Sequence, residues 1–338
     1  MSDTRRILAN DFALKRDRAL SEAERRKRNI YAKIPGLSNL ANEISLAGVR
    51  YARSLINESS SEESTVLLDR MNRLSQARED LLKDNNIPPD YLEPVFECSM
   101  CQDRGYLNRE GSTVNCSCYQ KVYLERLYQV SNLIDDGKTG FDFFDESFFA
   151  NKPDKKKYSL DISPKEQLLA IKDYCQNYAK LFPESTPNLY FFGPTGTGKT
   201  FMAKSIGIEL LKAGFSVLYL SATSLFPIIQ QYRLNIDRNG VSSEQAYKNL
   251  ITSNLLILDD LGTEPFSDSK YAELLTLLEL RKAQDVNNVA KTIVSSNLDF
   301  KRLFQEYNER IASRIIGEFE PFQFIGEDIR ILKKINNN

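Results

Sequence analysis

Histidine is absent from this sequence of 338 residues. The absence removes the side chain that most often serves as a general base near neutral pH, and also the commonest protein ligand for zinc. Any metal site must therefore use thiolates or carboxylates. For the same reason, a general base in this chain is expected to be a carboxylate.

Long apolar runs and a large net charge are also missing. No run of some 18 apolar residues exists and the N-terminus is charged, so we predict no membrane span, no signal peptide and a cytoplasmic protein. The 45 basic and 46 acidic residues give a net charge of -1, which argues against a globally basic nucleic-acid coat and requires any DNA contact to be local. A hydrophobic fraction of 41% is ordinary and suffices for a large core and two domains.

A glycine-rich turn after an apolar run fits the phosphate-loop pattern G-x-x-x-x-G-K-[ST] without a mismatch. Its glycines let backbone N–H groups surround phosphate oxygens, the lysine supplies a point charge, and the threonine hydroxyl is expected on Mg²⁺. The pattern predicts an ATP site. Its residues are Gly193, Pro194, Thr195, Gly196, Thr197, Gly198, Lys199 and Thr200.

Two carboxylates follow another apolar run, Leu255–Leu258. Asp259 is predicted to hold Mg²⁺ through water, and Asp260 to orient or deprotonate the attacking water. The alternative is a strand that merely ends in an Asp-rich turn. Another buried strand, 292–295, is followed closely by Asn297, which is placed to touch the γ-phosphate or the water.

Three late arginines are candidates for stabilising transition-state charge. Arg310 and Arg314 lie four residues apart on one predicted helix face, from which one of them can reach the nucleotide of a neighbouring subunit. Two surface arginines are the alternative explanation. Arg330 is expected to approach the nucleotide within its own chain.

Four cysteines form two short chelating pairs, Cys98 with Cys101 and Cys116 with Cys118, separated by fourteen residues. Four thiolates suit tetrahedral Zn²⁺, so we predict a structural zinc site. Buried free thiols, an iron–sulfur cluster and a redox pair are the competing explanations. Cys175 is predicted to be an inert packed thiol.

Hydrophobic periodicity predicts an α/β fold for the second half of the chain, with a parallel, doubly wound sheet that binds its ligand at the strand ends. Strands are predicted at 189–192, 216–220, 255–258 and 292–295, helices at 199–213, 271–283 and 308–316, and a last apolar run at 322–325. Residues 1–90 are charged and helical, forming either a bundle that packs on itself or a surface that docks a partner.

Together these motifs resemble the AAA+ ATPase domain of bacterial helicase loaders of the DnaC/DnaI type. The cysteine segment is similar to the zinc-binding region that precedes this domain in the DnaI-like branch. The resemblance covers about residues 90–332. It implies a Walker A role for Lys199 and Thr200, Walker B for Asp259 and Asp260, sensor 1 for Asn297, an arginine finger for Arg314 and sensor 2 for Arg330.

The resemblance implies an ATP-dependent loader that binds the hexameric replicative helicase and helps place it on single-stranded DNA. The expected cofactors are ATP, Mg²⁺ and Zn²⁺, and the expected activity is weak, assembly-dependent ATP hydrolysis with self-association through AAA+ interfaces. The predicted regions are a helical region 1–90, a zinc module 91–135 and an AAA+ domain 136–338 without a C-terminal lid. Candidate DNA contacts are Arg233, Arg238 and Lys248.

Three other functions stay open on sequence alone. An IstB-like transposition helper shares the ATPase core but partners a transposase. A small-molecule kinase also uses a phosphate loop, but would need an acceptor pocket and usually an arginine-rich lid, neither of which is evident. A zinc-bearing DNA-binding regulator would hold ATP only as a structural ligand.

Overall fold

The computed structural model describes residues 3–56, 61–109, 111–133, 137–158, 160–184, 186–237, 242–264, 268–286 and 289–336. Backbone contacts divide the chain into two compact units, the first ending at Gln120 and the second beginning at Lys121. The boundaries of the three regions named above stay a prediction.

The first unit is helical before the cysteines. Its helices are α1 (Asp3–Lys33), α2 (Leu37–Ile56) and α3 (Ser61–Asp84). A short antiparallel hairpin follows, made of β1 (Tyr106–Arg109) and β2 (Ser112–Asn115). Helices α2 and α3 pack against each other. The small core of this unit lies where α1 and α2 join and α3 ends, and consists of Ile34, Leu37, Leu82 and Leu92.

The second unit is built on a five-stranded parallel sheet in the order β4-β5-β6-β3-β7. Its strands are β3 (Asn188–Phe192), β4 (Val217–Ser221), β5 (Leu255–Leu261), β6 (Lys291–Ser296) and β7 (Phe319–Gln323). The α/β class and the parallel sheet predicted from periodicity are confirmed. The last strand begins three residues before the predicted apolar run, and Phe324 and Ile325 follow it as buried residues.

Helices cover both faces of this sheet. Helix α4 (Ser117–Ser131) crosses the division between the units, and the others are α5 (Lys155–Tyr158), α6 (Pro164–Leu181), α7 (Lys199–Lys212), α8 (Ala222–Leu234), α9 (Ser243–Thr252), α10 (Asp268–Asp285), α11 (Phe300–Glu306), α12 (Glu309–Glu318) and α13 (Ile329–Asn336). Within the ranges given above, none of the helices is both long enough and apolar enough to cross a membrane.

The alternation of side chains along β3 shows why its sequence is apolar throughout. Leu189 and Phe191 pack into one core cluster with α6 and α7, whereas Tyr190 packs into the other with α8 to α12. A strand buried on both faces has no solvent side, so it reads as a continuous apolar run. Phe141 and Phe149, from the aromatic segment before α6, belong to the first cluster and so pack the start of this unit.

A buried arginine fixes the end of the sheet where β5 and β6 begin. Arg281 on α10 is 1% exposed, and burial lowers its pKa to about 9. Its guanidinium donates to the carbonyls of Leu250 (2.7 Å), Ser253 (3.1 Å) and Lys291 (2.6 Å), and to Thr292 Oγ1 (2.9 Å). These bonds join the end of α9 to the first residues of β6, at the opposite end of the sheet from Asp259.

Candidate nucleotide and metal sites

The predicted phosphate loop connects β3 to α7 at the carboxyl end of the sheet. Gly193, Gly196 and Gly198 have φ angles of 140°, 72° and 102°, which residues with a side chain rarely adopt. A Cβ on Gly193 would collide with the Phe324 carbonyl, and one on Gly196 with the Asp328 carboxylate. Glycine is therefore required at Gly193 both by backbone conformation and by packing against the backbone of Phe324, and at Gly196 chiefly by its left-handed φ angle.

Helix α7 begins on the loop with its first amides uncapped by a side chain, because the N-cap residue is Gly198. Lys199 Nζ donates to the carbonyls of Gly193 (2.8 Å) and Pro194 (2.6 Å), which holds the ammonium across the loop. Burial lowers the pKa of Lys199, while the charges of Asp260 and Asp259 oppose that shift. An uncapped helix N-terminus with an adjacent ammonium suits a phosphate group.

Asp259 joins three elements at the base of the loop. The carboxylate is 1% exposed. It accepts from Thr200 Oγ1 at 3.1 Å through one oxygen and from Tyr219 OH at 2.8 Å through the other. Burial, followed by the Asp259 charge, raises the pKa of Tyr219, so the phenol stays a donor. The Thr200 hydroxyl and the Asp259 carboxylate are hard oxygen ligands of the kind Mg²⁺ prefers, so the residues present fit this ion.

Asp260 lies near the end of β5, within a register shift against β6, and has a left-handed conformation with φ 55°. Its side chain reaches solvent, whereas that of Asp259 is buried. Partial burial raises the pKa of Asp260, the Asp259 charge adds to the rise, and Lys199 and Arg330 oppose it. A carboxylate that meets solvent beside the loop, with a raised pKa, has the properties of a general base.

Asn297 and Arg330 lie at the same edge of the sheet. The register of β3 with β6 pairs Phe192 with Ser296, so Asn297 follows β6 where Gly193 follows β3. The Ile329 amide donates to the Gly196 carbonyl (3.1 Å), which ties the segment bearing Arg330 to the loop. The Arg330 charge is near enough to lower the pKa of both Lys199 and Asp260.

The other two predicted arginines lie elsewhere. Arg314 on α12 pairs with Glu279 on α10 at 3.0 Å, and Arg310 lines an open surface cavity of about 760 Å³ on the same helix. Among the described residues, neither arginine forms a hydrogen bond or ion pair with the loop. The structure thus brings together the loop, Asp259, Asp260, Asn297 and Arg330, but not Arg310 and Arg314.

The candidate DNA contacts have different surroundings. Arg233 at the end of α8 pairs with the buried Glu273 at 2.7 Å, which gives it a role in packing α8 on α10. Lys248 lies on α9. Arg238 lies outside the described residues.

The four cysteine thiols of the first unit meet in one cluster. The sulfur atoms of Cys98, Cys101, Cys116 and Cys118 all lie within 4.8 Å of one another, and two of the pairs are 3.8 Å and 3.5 Å apart. A tetrahedral zinc with bonds of about 2.3 Å places its sulfur ligands about 3.8 Å apart, so the geometry fits this ion.

Backbone donors and burial act in opposite directions on the thiols of the cluster. A hydrogen bond from the Cys118 backbone lowers the pKa of Cys116 to about 7, whereas burial raises the pKa of Cys101 and of Cys118. The Gly105 amide donates to Cys101 Sγ at 3.4 Å. The buried Asp103 accepts from the amide of Cys98 at 2.8 Å, which fixes the turn between the first two ligands. Such second contacts orient metal ligands.

Sequence reasoning missed three residues of the nucleotide site. Tyr219 lies in the middle of β4, and nothing in the sequence shows that this strand pairs with the one carrying Asp259. Asp328 was part of a segment singled out only for its arginine, yet its carboxylate lies against Gly196. Glu264 follows Asp260 by four residues and is buried, and an acidic residue so close to the predicted aspartate pair was a signal that could have identified it.

Comparison with known proteins agrees with this geometry. Residues 172–319 match the family described as IstB-like ATP binding protein. The replicative helicase loader DnaC of Buchnera aphidicola subsp. Baizongia pistaciae is 29% identical over 177 residues, which span 52% of this chain and 66% of that protein, just under two thirds of its length. The insertion sequence IS232 putative ATP-binding protein of Bacillus thuringiensis subsp. berliner is 24% identical over 188 residues, 54% of this chain and 70% of that protein.

A solved structure of the DnaC helicase loader superimposes with a TM-score of 0.42 at 18% identity, over 60% of this chain and 99% of that one. The matched segment of the family contains the phosphate loop, both aspartates, Asn297 and both α12 arginines. Residues 172–319 of this chain therefore match an IstB-like ATP-binding domain, and its homologues include DnaC replicative helicase loaders and insertion-sequence ATP-binding proteins.

Proposed function

We propose that this chain is a helicase loader that hydrolyses ATP and helps place a hexameric replicative helicase on single-stranded DNA. The observation that carries the ATP part is the Thr200–Asp259 hydrogen bond at the uncapped start of α7. It brings a hydroxyl and a carboxylate together directly beside the phosphate loop, as a magnesium nucleotide site requires. The sequence similarity to DnaC supports the helicase as partner.

Each residue of the nucleotide site is proposed to have a separate role in ATP hydrolysis. The α7 amides and Lys199 bind phosphate oxygens, and Thr200 and Asp259 are the residues that would hold Mg²⁺. The ion would supply positive charge against the charge that develops on the phosphates. Asp260 accepts the proton of the attacking water, and Asn297 orients that water. Arg330 approaches the nucleotide within the same chain.

The helicase assignment is tested by native mass spectrometry of the full chain mixed with the replicative helicase of the same organism, with and without ATP. We expect a complex whose abundance changes with ATP. A Lys199→Ala variant is the matched control, because it loses the loop charge and leaves every surface outside the loop unchanged. It should still bind the helicase, but without a response to ATP.

A second candidate, a transposition helper, is favoured by the match to the insertion-sequence protein over 54% of this chain. The same measurement with a transposase separates the two. A complex with transposase and none with helicase would overturn the loader proposal in favour of this one.

The arginines of α12 are proposed to complete the site of a neighbouring subunit. Asp260→Asn lacks the base of its own site, and Arg314→Ala lacks the arginine that it would supply to the neighbouring site, so each variant should be inactive alone. A mixed assembly contains some sites in which both groups are intact. In a random equal mixture about one quarter of the sites pair an intact Asp260 with an intact neighbouring Arg314. We expect phosphate release to recover toward that fraction. The parallel mixture with Arg310→Ala identifies which arginine acts, and no recovery in either mixture would contradict action between subunits.

A further inference from the structure

A buried carboxylate lies just past the strand that carries Asp259 and Asp260. The Glu264 side chain is 1% exposed and lies 3.6 Å from Nζ of Lys270, whose side chain is 8% exposed. One of its oxygens accepts from the Gly262 amide at 2.9 Å, and the other accepts from the hydroxyl of Tyr307, itself 1% exposed. Burying a carboxylate costs free energy unless it is paired with a cation and hydrogen-bonded. Glu264 has both, through Lys270 and through the two hydrogen bonds.

The first partner of Glu264 belongs to the turn that presents Asp260. This turn contains two left-handed residues, Asp260 at φ 55° and Gly262 at φ 101°. Within it the Asp260 carbonyl accepts from the amide (3.2 Å) and the hydroxyl (2.8 Å) of Thr263. The bond from Glu264 to Gly262 therefore holds the same turn that sets the direction of the Asp260 side chain.

The second partner of Glu264 lies at the junction just before the helix of the late arginines. Tyr307 caps the end of α11, two residues before α12 begins, and precedes Arg310 by three residues. Its ring stacks edge-on against Tyr271 at 5.8 Å, and Tyr271 OH donates to the Glu306 carbonyl at 2.9 Å, so the junction between α11 and α12 is fixed to the start of α10. A displacement of α12 would therefore move Tyr307 and change its hydrogen bond to Glu264.

We propose that Glu264 and Tyr307 are positioning residues that couple the placement of Asp260 to that of helix α12. The inference rests on the proposed ATP hydrolysis and deepens it. When a neighbouring subunit contacts α12, the position of this helix is fixed. Through the Tyr307–Glu264 hydrogen bond, the position of the turn that holds Asp260 is then fixed as well. A contact made only for stability would have no effect on the hydrolysis step once the protein is folded.

Tyr307→Phe removes only the hydroxyl and is the direct test. In the presence of helicase and single-stranded DNA we expect kcat for ATP to fall about tenfold, since small misplacements of a catalytic group are costly, while the Kd for MgATP stays within about twofold. Tyr178→Phe is the matched control. Tyr178 is 4% exposed and its hydroxyl donates to the Pro187 carbonyl at 3.0 Å, at the other end of β3, so its loss should lower thermal stability without changing kcat.

Glu264→Gln provides a second variant that keeps one acceptor oxygen and the side-chain shape. Its kcat should lie between those of the native protein and Tyr307→Phe. Equal kcat values for native protein, Tyr307→Phe and Tyr178→Phe would overturn the coupling while leaving the ATPase proposal intact. A native protein that releases no phosphate with helicase and DNA would instead overturn the proposed hydrolysis, and the coupling with it.

Discussion

Asp260→Asn should lower the rate of ATP hydrolysis by about a thousandfold, the range expected when a general base is lost. Asparagine keeps the size and shape of the side chain but cannot take a proton from water. Since the sequence has no histidine, no imidazole can replace the carboxylate. Phosphate release measured with saturating MgATP should show the loss, and equilibrium binding of a fluorescent ATP analogue should stay within about twofold.

The neighbouring Asp259→Asn variant is the matched control, because it removes one negative charge at the adjacent position. Asp259 accepts from Thr200 and Tyr219 and is expected to act through Mg²⁺, so its loss should weaken the binding of MgATP itself. The Asp260→Asn variant would then lose the rate of hydrolysis, whereas the Asp259→Asn variant would lose affinity for MgATP. Full function of the Asp260→Asn protein in helicase loading would show instead that ATP is only a structural ligand.

The loop and its flanking elements were predictable because their signals are local. An apolar run ending in glycines needs only its own backbone to form a strand and a tight turn, and Lys199 starts a helix whose first turn follows directly. The strand that ends in Asp259 and Asp260 was found in the same way. Each of these signals spans fewer than a dozen residues, so none depends on how distant segments pack.

Contacts that depend on strand order could not be predicted. The order β4-β5-β6-β3-β7 places Tyr219 beside the strand of Asp259, forty residues later in the chain. In the same way, only tertiary packing brings the Tyr307 hydroxyl, at the end of α11, to Glu264, which lies 43 residues earlier in the chain. Arg233, a candidate DNA contact, likewise pairs with the buried Glu273 of α10, forty residues later in the chain. Sequence spacing reports none of these tertiary pairings.

The cysteine cluster depends partly on local signals and partly on the pairing of two strands. Each chelating pair is local, but the two pairs meet only because β1 and β2 fold back on each other as a hairpin. The short spacing of the second pair is accommodated at the start of α4, where Cys116 precedes the helix and Cys118 lies in its first turn. Both the four cysteines and the point where they meet thus follow from short segments, which is why the sequence was sufficient to predict that the four thiols come together.

Loss of zinc should unfold the segment around this cluster, and we expect one zinc per chain in the purified protein. Structural zinc contributes about 10–16 kcal/mol in small zinc domains, far more than a hairpin of two four-residue strands can supply by itself. The cluster also anchors α1, because Arg16 donates to the Gln102 carbonyl at 2.5 Å and Phe12 packs on Tyr119 at 5.5 Å. Treatment of the full chain with a chelator should therefore lower its helix content as well as its zinc content.

Cys101→Ser isolates the effect of the metal from that of the chelator. Cys101 is 3% exposed and its sulfur accepts the Gly105 amide, so a serine hydroxyl there is a poor zinc ligand in a buried position, and zinc measured by atomic emission should fall below one per chain. Cys175→Ser is the matched control, since this buried cysteine lies on α6 in the other unit and should leave the zinc content unchanged. A visible absorption band typical of an iron–sulfur cluster, with iron in place of zinc, would contradict the assignment. The same four thiolates accept either metal. Their sulfur atoms all lie within 4.8 Å of one another, which favours the single tetrahedral ion because a cluster interposes its own sulfides between the ligands.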